Sequence, residues 1–227
     1  MPCHSFVAFQ AKKRRTLDAI VSHNRSQHFG TPEASDEGEE PYLKDCRLVG
    51  GTALALQYGH RSSVDLDVFG DVPDNDAALH DILEDFGQVQ GQMTSKYIKS
   101  FIVDKTKVDF VNYSRYPWLD EPIVEDGLRL ASPKDIAAMK TYAIQNRGSR
   151  KDFIDYYFLL QHFSLEEILS YYAQKYPNYS MFRTRMALTY FEDAENKECP
   201  TMFVKVDWDD IKSFISQKVK EIDWKKY

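Results

Sequence analysis

Two aspartates separated by one residue stand out in the apolar segment from Val64 to Phe69. Successive side chains of a strand point to opposite faces, so a strand here would place Asp65 and Asp67 on one face and the apolar residues, including Val64, on the other. Two carboxylates in one small volume repel each other unless a cation, a proton or solvent compensates them. Magnesium prefers oxygen ligands and is the ion that this pair would suit best.

A bare D-x-D is more often an edge strand with two solvated acids, but two neighbouring features favour a site. Upstream, the apolar residues Leu48 and Val49 lead into Gly50 and Gly51 and then into an Ala/Leu-rich segment. A glycine turn at a helix N-terminus brings backbone N–H groups close to a phosphate.

The second feature is a third acid, Asp109, which lies in another strand-like segment from Lys107 to Tyr113. Three carboxylates would hold two divalent ions, one that activates an attacking hydroxyl and one that binds a triphosphate and stabilises the leaving pyrophosphate. These residues predict nucleotidyl transfer.

The motifs also resemble a known family. The string from Gly50 to Leu56, then Gly59-His60-Arg61 and the acidic strand, is similar to the signature of the AbiEii/AbiGii toxins, which belong to the polymerase β-like nucleotidyltransferases. The similarity continues through residues 138–140 and 147–155, and so spans roughly residues 45–160.

The resemblance implies a bacterial toxin that uses a nucleoside triphosphate, with Asp65 and Asp67 as metal ligands. Asp109 completes the two-ion Mg²⁺ site that the residues themselves predict. The resemblance also implies a separately encoded antitoxin with a winged-helix domain. RNA, with tRNA as one candidate, is the preferred acceptor. From the residues and the resemblance together, the predicted catalytic residues are Asp65, Asp67, Asp109, Lys140 and Asp152. The predicted substrate-binding residues are Gly50, Gly51, Thr52, Arg61, Lys151 and Asp155. The resemblance places Lys151 at the first position of an Arg/Lys-Asp pair.

Several of these residues also have ordinary structural explanations. Lys140 shares a helical face with apolar residues, so it either points into a site or extends over apolar surface. Asp152 could cap a helix and Asp155 could be solvated. His60 fits a structural hydrogen bond as well as a substrate contact. The aromatic groups at 156–158 and 171–172 suit core packing better than base stacking.

Composition restricts the function further. The formal net charge is -6 and the pI is about 5.5, so no global positive field attracts nucleic acid, and any contact must be local. Cys3, Cys46 and Cys199 are odd in number and widely spaced, which argues against a disulfide framework or zinc site. No apolar run approaches the ~18 residues of a membrane span, so we expect a cytoplasmic protein.

The hydrophobic pattern predicts an α+β polymerase β-like nucleotidyltransferase domain with a mixed sheet, followed by a helical C-terminal domain. The expected division is an N-terminal helix and acidic linker over 1–41, the α+β core over 42–130 and the helical domain over 131–227. Predicted strands are Arg47–Gly50, Val64–Phe69, Tyr97–Asp104 and Lys107–Tyr113. Predicted helices are Thr52–Tyr58, Asp74–Phe86, Pro133–Asn146, Lys151–His162, Leu165–Lys175, Ser180–Phe191 and Asp209–Glu221.

Two other functions stay open at this point. The chain could be a non-catalytic member that binds a nucleotide or a partner, since its surface is acidic. It could also be a small-molecule nucleotidyltransferase of the antibiotic-modifying type, which shares the glycine turn and the acidic strand.

Overall fold

The computed structural model describes residues 43, 45–72, 74–84, 87–125 and 128–227. The predicted N-terminal helix and acidic linker over 1–41 lie outside these residues. The division of the chain near residue 130 stays a prediction, although one hydrophobic cluster contains residues from both sides, such as Leu54 and Phe110 together with Ile136 and Phe153.

Within the described residues, seven strands form one sheet. The sheet is mixed, as the sequence predicts, although only four of its strands were predicted. The strands are β1 Arg47–Val49, β2 Leu66–Gly70, β3 Val89–Thr94, β4 Ile98–Val103, β5 Thr106–Asn112, β6 Ile123–Glu125 and β7 Leu128–Leu130. Their order across the sheet is β3-β4-β5-β2-β1-β7-β6. The β2–β5 and β1–β7 pairs are parallel, and the other neighbours are antiparallel.

Helices cover the sheet and form most of the C-terminal half. They are α1 Gly50–Tyr58, α2 Asp76–Glu84, α3 Pro133–Asn146, α4 Arg150–Leu159, α5 Leu165–Lys175, α6 Met181–Ala187, α7 Glu192–Glu195 and α8 Trp208–Glu221, with a final 3₁₀ turn at Trp224–Lys226. The helix α3 begins as predicted, because the Ser132 hydroxyl accepts a hydrogen bond from the Asp135 backbone N–H and Pro133 occupies the first turn. None of the helices in the described ranges has the length and apolar character of a membrane span.

Four features of the structure differ from the prediction. Strand β2 begins at Leu66, and Val64 is 69% exposed rather than part of the apolar face. The strand β3 was not predicted because its sequence is mostly polar, contains Gly91 and lies at the sheet edge with a register shift. The three-residue strands β6 and β7 are too short to give a pattern.

The fourth difference is the helix predicted over Ser180–Phe191, which is shorter in the structure: α6 ends at Ala187, and α7 begins at Glu192, beyond the predicted end. The Thr189 hydroxyl donates to the Met186 carbonyl, which satisfies one acceptor at the end of α6. Phe191 then packs against Phe153 with 4.8 Å between ring centroids. This aromatic contact fixes the chain direction between the two helices.

Candidate active site

The glycine turn begins α1 and is crowded on both sides by functional groups. Gly50 has a φ of 68°, in the left-handed region that favours glycine. A Cβ atom at Gly50 would lie 2.6 Å from Asp67 Oδ2, and one at Gly51 would lie 2.2 Å from Arg61 Nη2. The sequence therefore needs glycine at both positions so that an acid and a guanidinium can approach the turn.

Asp67 and Asp109 are brought together by the parallel pairing of β2 with β5. The register places Asp67 directly beside Asp109, and Val49 at the end of β1 is the partner of Asp67 on its other side. Asp65 precedes β2, and the Thr52 hydroxyl donates to its backbone carbonyl. Sheet register and one local hydrogen bond thus gather the three predicted acids beside the glycine turn.

The pKa of Asp67 reflects the nearby charges of the other two acids. Burial, followed by the negative charges of Asp109 and Asp65, raises the pKa of Asp67 above its usual value of 3.8, while Lys140 partly opposes the shift. Any cation that approaches a carboxyl group in this position stabilises its ionised form.

Two partly exposed lysines stand beside the other two acids. Lys107, two residues before Asp109 on β5, places Nζ 2.5 Å from Asp109 Oδ2. Lys151 Nζ lies 3.7 Å from Asp65 Oδ2. Their side chains are 50% and 45% exposed, so both are able to move when another cation or a ligand arrives.

Asp155 lies at the centre of a buried ionic cluster behind the turn. Arg61 donates two hydrogen bonds to it, from Nε to Oδ1 at 2.6 Å and from Nη2 to Oδ2 at 2.7 Å. Lys140 Nζ lies 2.5 Å from Oδ2, and His60 Nε2 lies 2.8 Å from Oδ1. All four side chains are at most 5% exposed, so Asp155 is not the solvated residue that one interpretation of the sequence allowed.

Asp152 extends this cluster toward the surface. It accepts hydrogen bonds from Lys140 Nζ at 3.0 Å, from Arg147 Nε at 2.9 Å and from the Ser149 hydroxyl at 2.5 Å. Ser149 is the N-cap residue of α4, so Asp152 contacts the cap side chain but is not itself the cap. The cluster holds Lys140 between two carboxylates.

The pKa directions show that the cluster is ionic. Burial alone would raise the pKa of Asp155, but Lys140 and Arg61 outweigh it and hold this pKa well below 3.8. Burial alone would lower the pKa of Lys140, but Asp155 and Asp152 outweigh it and raise this pKa above 10.5. Burial lowers the pKa of His60 below 6.5 despite the contact with Asp155, so His60 is neutral at pH 7.

A cleft of about 510 Å³ opens between the sheet and α3. One end is charged and is lined by Gly50, Asp67, Lys140 and Arg147. Arg147 was not among the predicted site residues, although it lies in a basic group with Arg150 and Lys151 that the sequence shows. Lys140 points inward, as its helical face indicates, and it lines the cleft with a side chain that is only 5% exposed and an amine that Asp152 and Asp155 hold.

The predicted substrate-binding residues separate into two groups. Gly50 lines the cleft, and Lys151 is half-exposed beside Asp65. In contrast, Thr52 and Arg61 are buried and bonded to the protein. The Asp155 carboxylate is likewise fully enclosed. In this structure these three side chains hold the site together and do not face the cleft.

Sequence reasoning missed a second buried ion cluster. Lys175 is fully buried and donates to Asp135 Oδ1 at 2.7 Å and to the Pro117 carbonyl at 2.6 Å. Arg47 lies 4.0 Å from the other Asp135 oxygen and over the Trp118 ring at 4.3 Å. These contacts link β1, the loop after β5 and two helices, across separations of up to 88 positions that no local pattern reveals.

The residues present fit a hard divalent cation at the three aspartates. They offer carboxylate oxygens alone, and the raised pKa of Asp67 together with two lysines paired to Asp109 and Asp65 marks a place that attracts positive charge. The carboxylate oxygens of the three aspartates do not all lie within 4.8 Å of one another, whereas among the described residues the donor atoms of His80, Asp81 and Glu84 on α2 do. That group lies on the helix surface and does not line the cleft.

A glycine-led helix beside a carboxylate pair in a mixed α+β sheet defines a nucleotidyltransferase fold, and solved structures share it. MenT4, a nucleotidyltransferase toxin from Mycobacterium tuberculosis H37Rv, matches with a TM-score of 0.52 and 12% identity over 97% of this chain and 86% of that chain. The antibiotic-resistance factor ANT(2'')-Ia matches with a TM-score of 0.50 and 17% identity over 78% of this chain and 94% of that chain. Both show the fold.

The family follows from the sequence comparison. The family model described as "Nucleotidyl transferase AbiEii toxin, Type IV TA system" matches residues 36–227, and the chain belongs to this family. It is thus a nucleotidyltransferase, which confirms the prediction. An uncharacterized protein of Aquifex aeolicus is 36% identical over 183 residues, which are 78% of this chain and 87% of that relative.

Proposed function

We propose that the protein transfers a nucleotide from a nucleoside triphosphate to an acceptor hydroxyl, with Asp65, Asp67 and Asp109 holding Mg²⁺. The observation that carries the proposal is the pairing of Asp67 with Asp109 beside the Gly50 turn, at the charged end of the cleft. Bound divalent ions would neutralise and polarise the triphosphate. Binding and orientation of the triphosphate would come from the side chains of the cleft.

In the proposed reaction, the acceptor oxygen forms a bond to the α-phosphorus, and the bond from this phosphorus to the β-phosphate oxygen breaks. Pyrophosphate leaves, and the hydroxyl proton passes to a carboxylate of the aspartate group or to water. Lys140 and Arg147 bind the triphosphate, because both line the cleft with Asp67 and both carry fixed positive charge. Asp152 and Asp155 act as positioning residues that orient Lys140.

RNA is our preferred acceptor, and tRNA is the first to test. The half-exposed Lys107 and Lys151 stand next to Asp109 and Asp65, so they supply local positive charge at the site despite the acidic net charge of the chain. The Gly51 backbone lies at the start of α1, where N–H groups are available to phosphate oxygens.

A labelling assay tests this function. The protein is incubated with each α-labelled triphosphate, Mg²⁺ and total RNA, and the RNA is separated and counted. Asp67→Asn should abolish labelling, because it removes one carboxylate from the centre of the group. The matched control is Asp81→Asn, an acid of the surface group on α2, which should label like the wild type. Full labelling by Asp67→Asn would reject the site, and labelling lost in Asp81→Asn would move the metal to α2.

The same incubation, extended with an aminoglycoside and with measurements of nucleotide binding and pyrophosphate release, separates the competing functions. Wild-type protein that binds nucleotide without releasing pyrophosphate would be the non-catalytic member. Release of pyrophosphate with labelled aminoglycoside but unlabelled RNA would identify a small-molecule enzyme.

We further propose that the protein is the toxin of a pair whose antitoxin is encoded separately and carries a winged-helix domain. This proposal rests on the family. Expression of the chain alone should arrest growth, and co-expression of the neighbouring gene should restore it. Growth that is unaffected by the chain alone would contradict the toxin role.

A further inference from the structure

The cleft has a second end, which the chemistry proposed above does not use. Apart from the charged residues, the lining contains four tyrosines from three separate parts of the chain, and these tyrosines contact one another. We call them the tyrosine wall: Tyr113 and Tyr116 after β5, Tyr142 on α3 and Tyr176 after α5. Because the two ends belong to one continuous cleft, a ligand with its phosphates near Lys140 extends toward this wall.

The tyrosine wall is well ordered by its own contacts. The Tyr142 and Tyr176 rings stack with centroids 5.0 Å apart and planes 21° from parallel. The Tyr113 and Tyr176 hydroxyls lie 2.5 Å apart, and the Tyr113 and Tyr116 rings are 4.9 Å apart. Tyr113 and Tyr176 are buried, so the partly exposed Tyr116 and Tyr142 form the part of the wall that a flat ring can contact. Because the buried pair already holds these rings in place, a ligand binds them with little further loss of conformational freedom.

The buried residues Lys175 and Asp135 also hold the tyrosine wall in place. Lys175 donates to the Pro117 carbonyl, in the loop that carries Tyr116, and its amine lies 5.1 Å from the centre of the Tyr113 ring. Asp135 compensates the charge of this lysine at 2.7 Å. The buried ion cluster described above therefore holds the wall in place.

The mouth of the same end carries an exposed aromatic and cationic pair. The Arg115 guanidinium lies over the Tyr97 ring at 5.0 Å and donates from Nη2 to the Tyr97 hydroxyl at 3.1 Å. Both side chains line the cleft, and both are exposed. Such a pair offers a second flat surface to a planar ligand.

Two asparagines in the lining have unused hydrogen-bonding groups. Asn112 Oδ1 accepts from the Ser114 backbone N–H and hydroxyl, while its amide nitrogen donates to none of the described residues. Asn146 donates from Nδ2 to the Tyr142 carbonyl at 2.7 Å, while its Oδ1 accepts from none of the described residues. One free donor and one free acceptor are the groups that recognise the edge of a heterocyclic base.

We propose, resting on the proposed function, that the tyrosine wall and Tyr97 bind the nucleobase of the incoming triphosphate, and that Asn112 and Asn146 select which base is accepted. The aromatic lining supplies stacking that every base can use. The two amides supply the hydrogen bonds that distinguish one base from another. Base choice is then a property of this end of the cleft and is independent of the aspartates.

The first test separates the base from the phosphates. Binding of each nucleoside triphosphate and of inorganic tripolyphosphate is measured by titration calorimetry with Mg²⁺ and no acceptor. Tyr97→Ala and Tyr142→Ala should each weaken binding of the preferred nucleoside triphosphate by about 5-fold to 150-fold, the range for loss of one stacked base. Their affinity for tripolyphosphate should stay at the wild-type value.

Tyr190→Ala is the matched control, because Tyr190 is similarly exposed, at 49% against 44% for Tyr97, and does not line the cleft. It should bind like the wild type. An equal loss for tripolyphosphate, or no loss for the nucleoside triphosphate, would overturn the base subsite. The labelling assay with Asp67→Asn judges the enzyme itself, so the two proposals fail separately.

The second test concerns base selection. Asn112→Asp keeps the oxygen that accepts from Ser114 but replaces the free donor with an acceptor. The ratio of affinities among the four triphosphates should change by about tenfold or more for at least one pair, in line with the loss of a matched base-edge contact. Asn196→Asp, an exposed substitution of the same type outside the cleft, should leave the ratios unchanged. Unchanged ratios in Asn112→Asp would reject its role in selection.

Discussion

Replacement of Asp155 by asparagine tests the buried ionic cluster most directly. The substitution keeps the size of the side chain but removes the negative charge between Arg61 and Lys140. It also presents an amide N–H₂ group to one of these cations, which are themselves donors. Two positive charges then remain buried with one carboxylate fewer, and water cannot replace the missing partner.

The expected loss in the free energy of unfolding is large. Removing one partner of a buried, hydrogen-bonded ion pair destabilises proteins by about 3–5 kcal/mol, and Asp155 has two cationic partners. We expect Asp155→Asn to lower the free energy of unfolding by at least ~3 kcal/mol, measured by urea denaturation at pH 7. That is a large fraction of the stability of a typical domain, about 5–15 kcal/mol.

Lys140→Met is the matched control, since it removes a charge from the same cluster without stranding another. Asp155 would keep Arg61, and Asp152 would keep Arg147 and the Ser149 hydroxyl. We expect this variant to lose less stability than Asp155→Asn while losing nucleotidyl transfer. If Lys140→Met were the more destabilised of the two, the assignment of Asp155 as the centre of the cluster would be refuted.

The pH dependence gives a second check on Asp155. Its folded pKa lies well below the ordinary value of 3.8, so its stabilising charge is fully present above that value. As the pH falls below about 3.8 toward the folded pKa, the unfolded state binds the proton more readily and this contribution is lost. The stability gap between the wild type and Asp155→Asn should therefore be constant above pH 5 and should narrow below pH 4. A gap that widens with acid would contradict the ionised state of Asp155.

Three further predictions concern the turn, a helix cap and the cysteines. Gly51→Ala places a Cβ atom 2.2 Å from a buried guanidinium nitrogen, so transfer activity and thermal stability should both fall, and a fully active variant would show that the turn is not tightly packed. Ser132→Ala removes the N-cap of α3 and a hydrogen bond to Asp135, and urea unfolding should show a loss of about 1–2 kcal/mol rather than none. Iodoacetamide at pH 8 should modify exposed Cys199 but not Cys46, because burial raises the pKa of the Cys46 thiol to about 12, and peptide mapping that finds equal modification would disprove this.

The parts of the fold that local patterns encode were predictable. The α3 helix has a serine cap and a proline in its first turn, and its predicted bounds are those observed. The apolar alternation around Asp67 identified a strand, and one inward-facing lysine on α3 was expected from its apolar neighbours. In each case the physical cause of the observed structure lies within a few consecutive residues.

The missed features depend on contacts between distant residues. Lys175 looks like an ordinary helix-terminal lysine until the fold places it on Asp135, 40 positions away. Tyr113 and Tyr176 are 63 positions apart and became recognisable as one surface only when the sheet and the helices were packed together. Strand β3 lies at the edge of the sheet and pairs with a neighbour on one side only. A strand in this position does not need an apolar alternation, and β3 has none.

The two carboxylates that enclose Lys140 have a consequence for ligand affinity. Lysine and arginine side chains ordinarily lose about 0.5–1.5 kcal/mol each in entropy when a ligand immobilises them. Asp152 has already restrained Lys140 and Arg147 in the free protein, so that loss occurs during folding and not when the ligand arrives. A triphosphate that binds these two residues as proposed would meet positive groups whose orientation is already set, and would need little rearrangement of them to align.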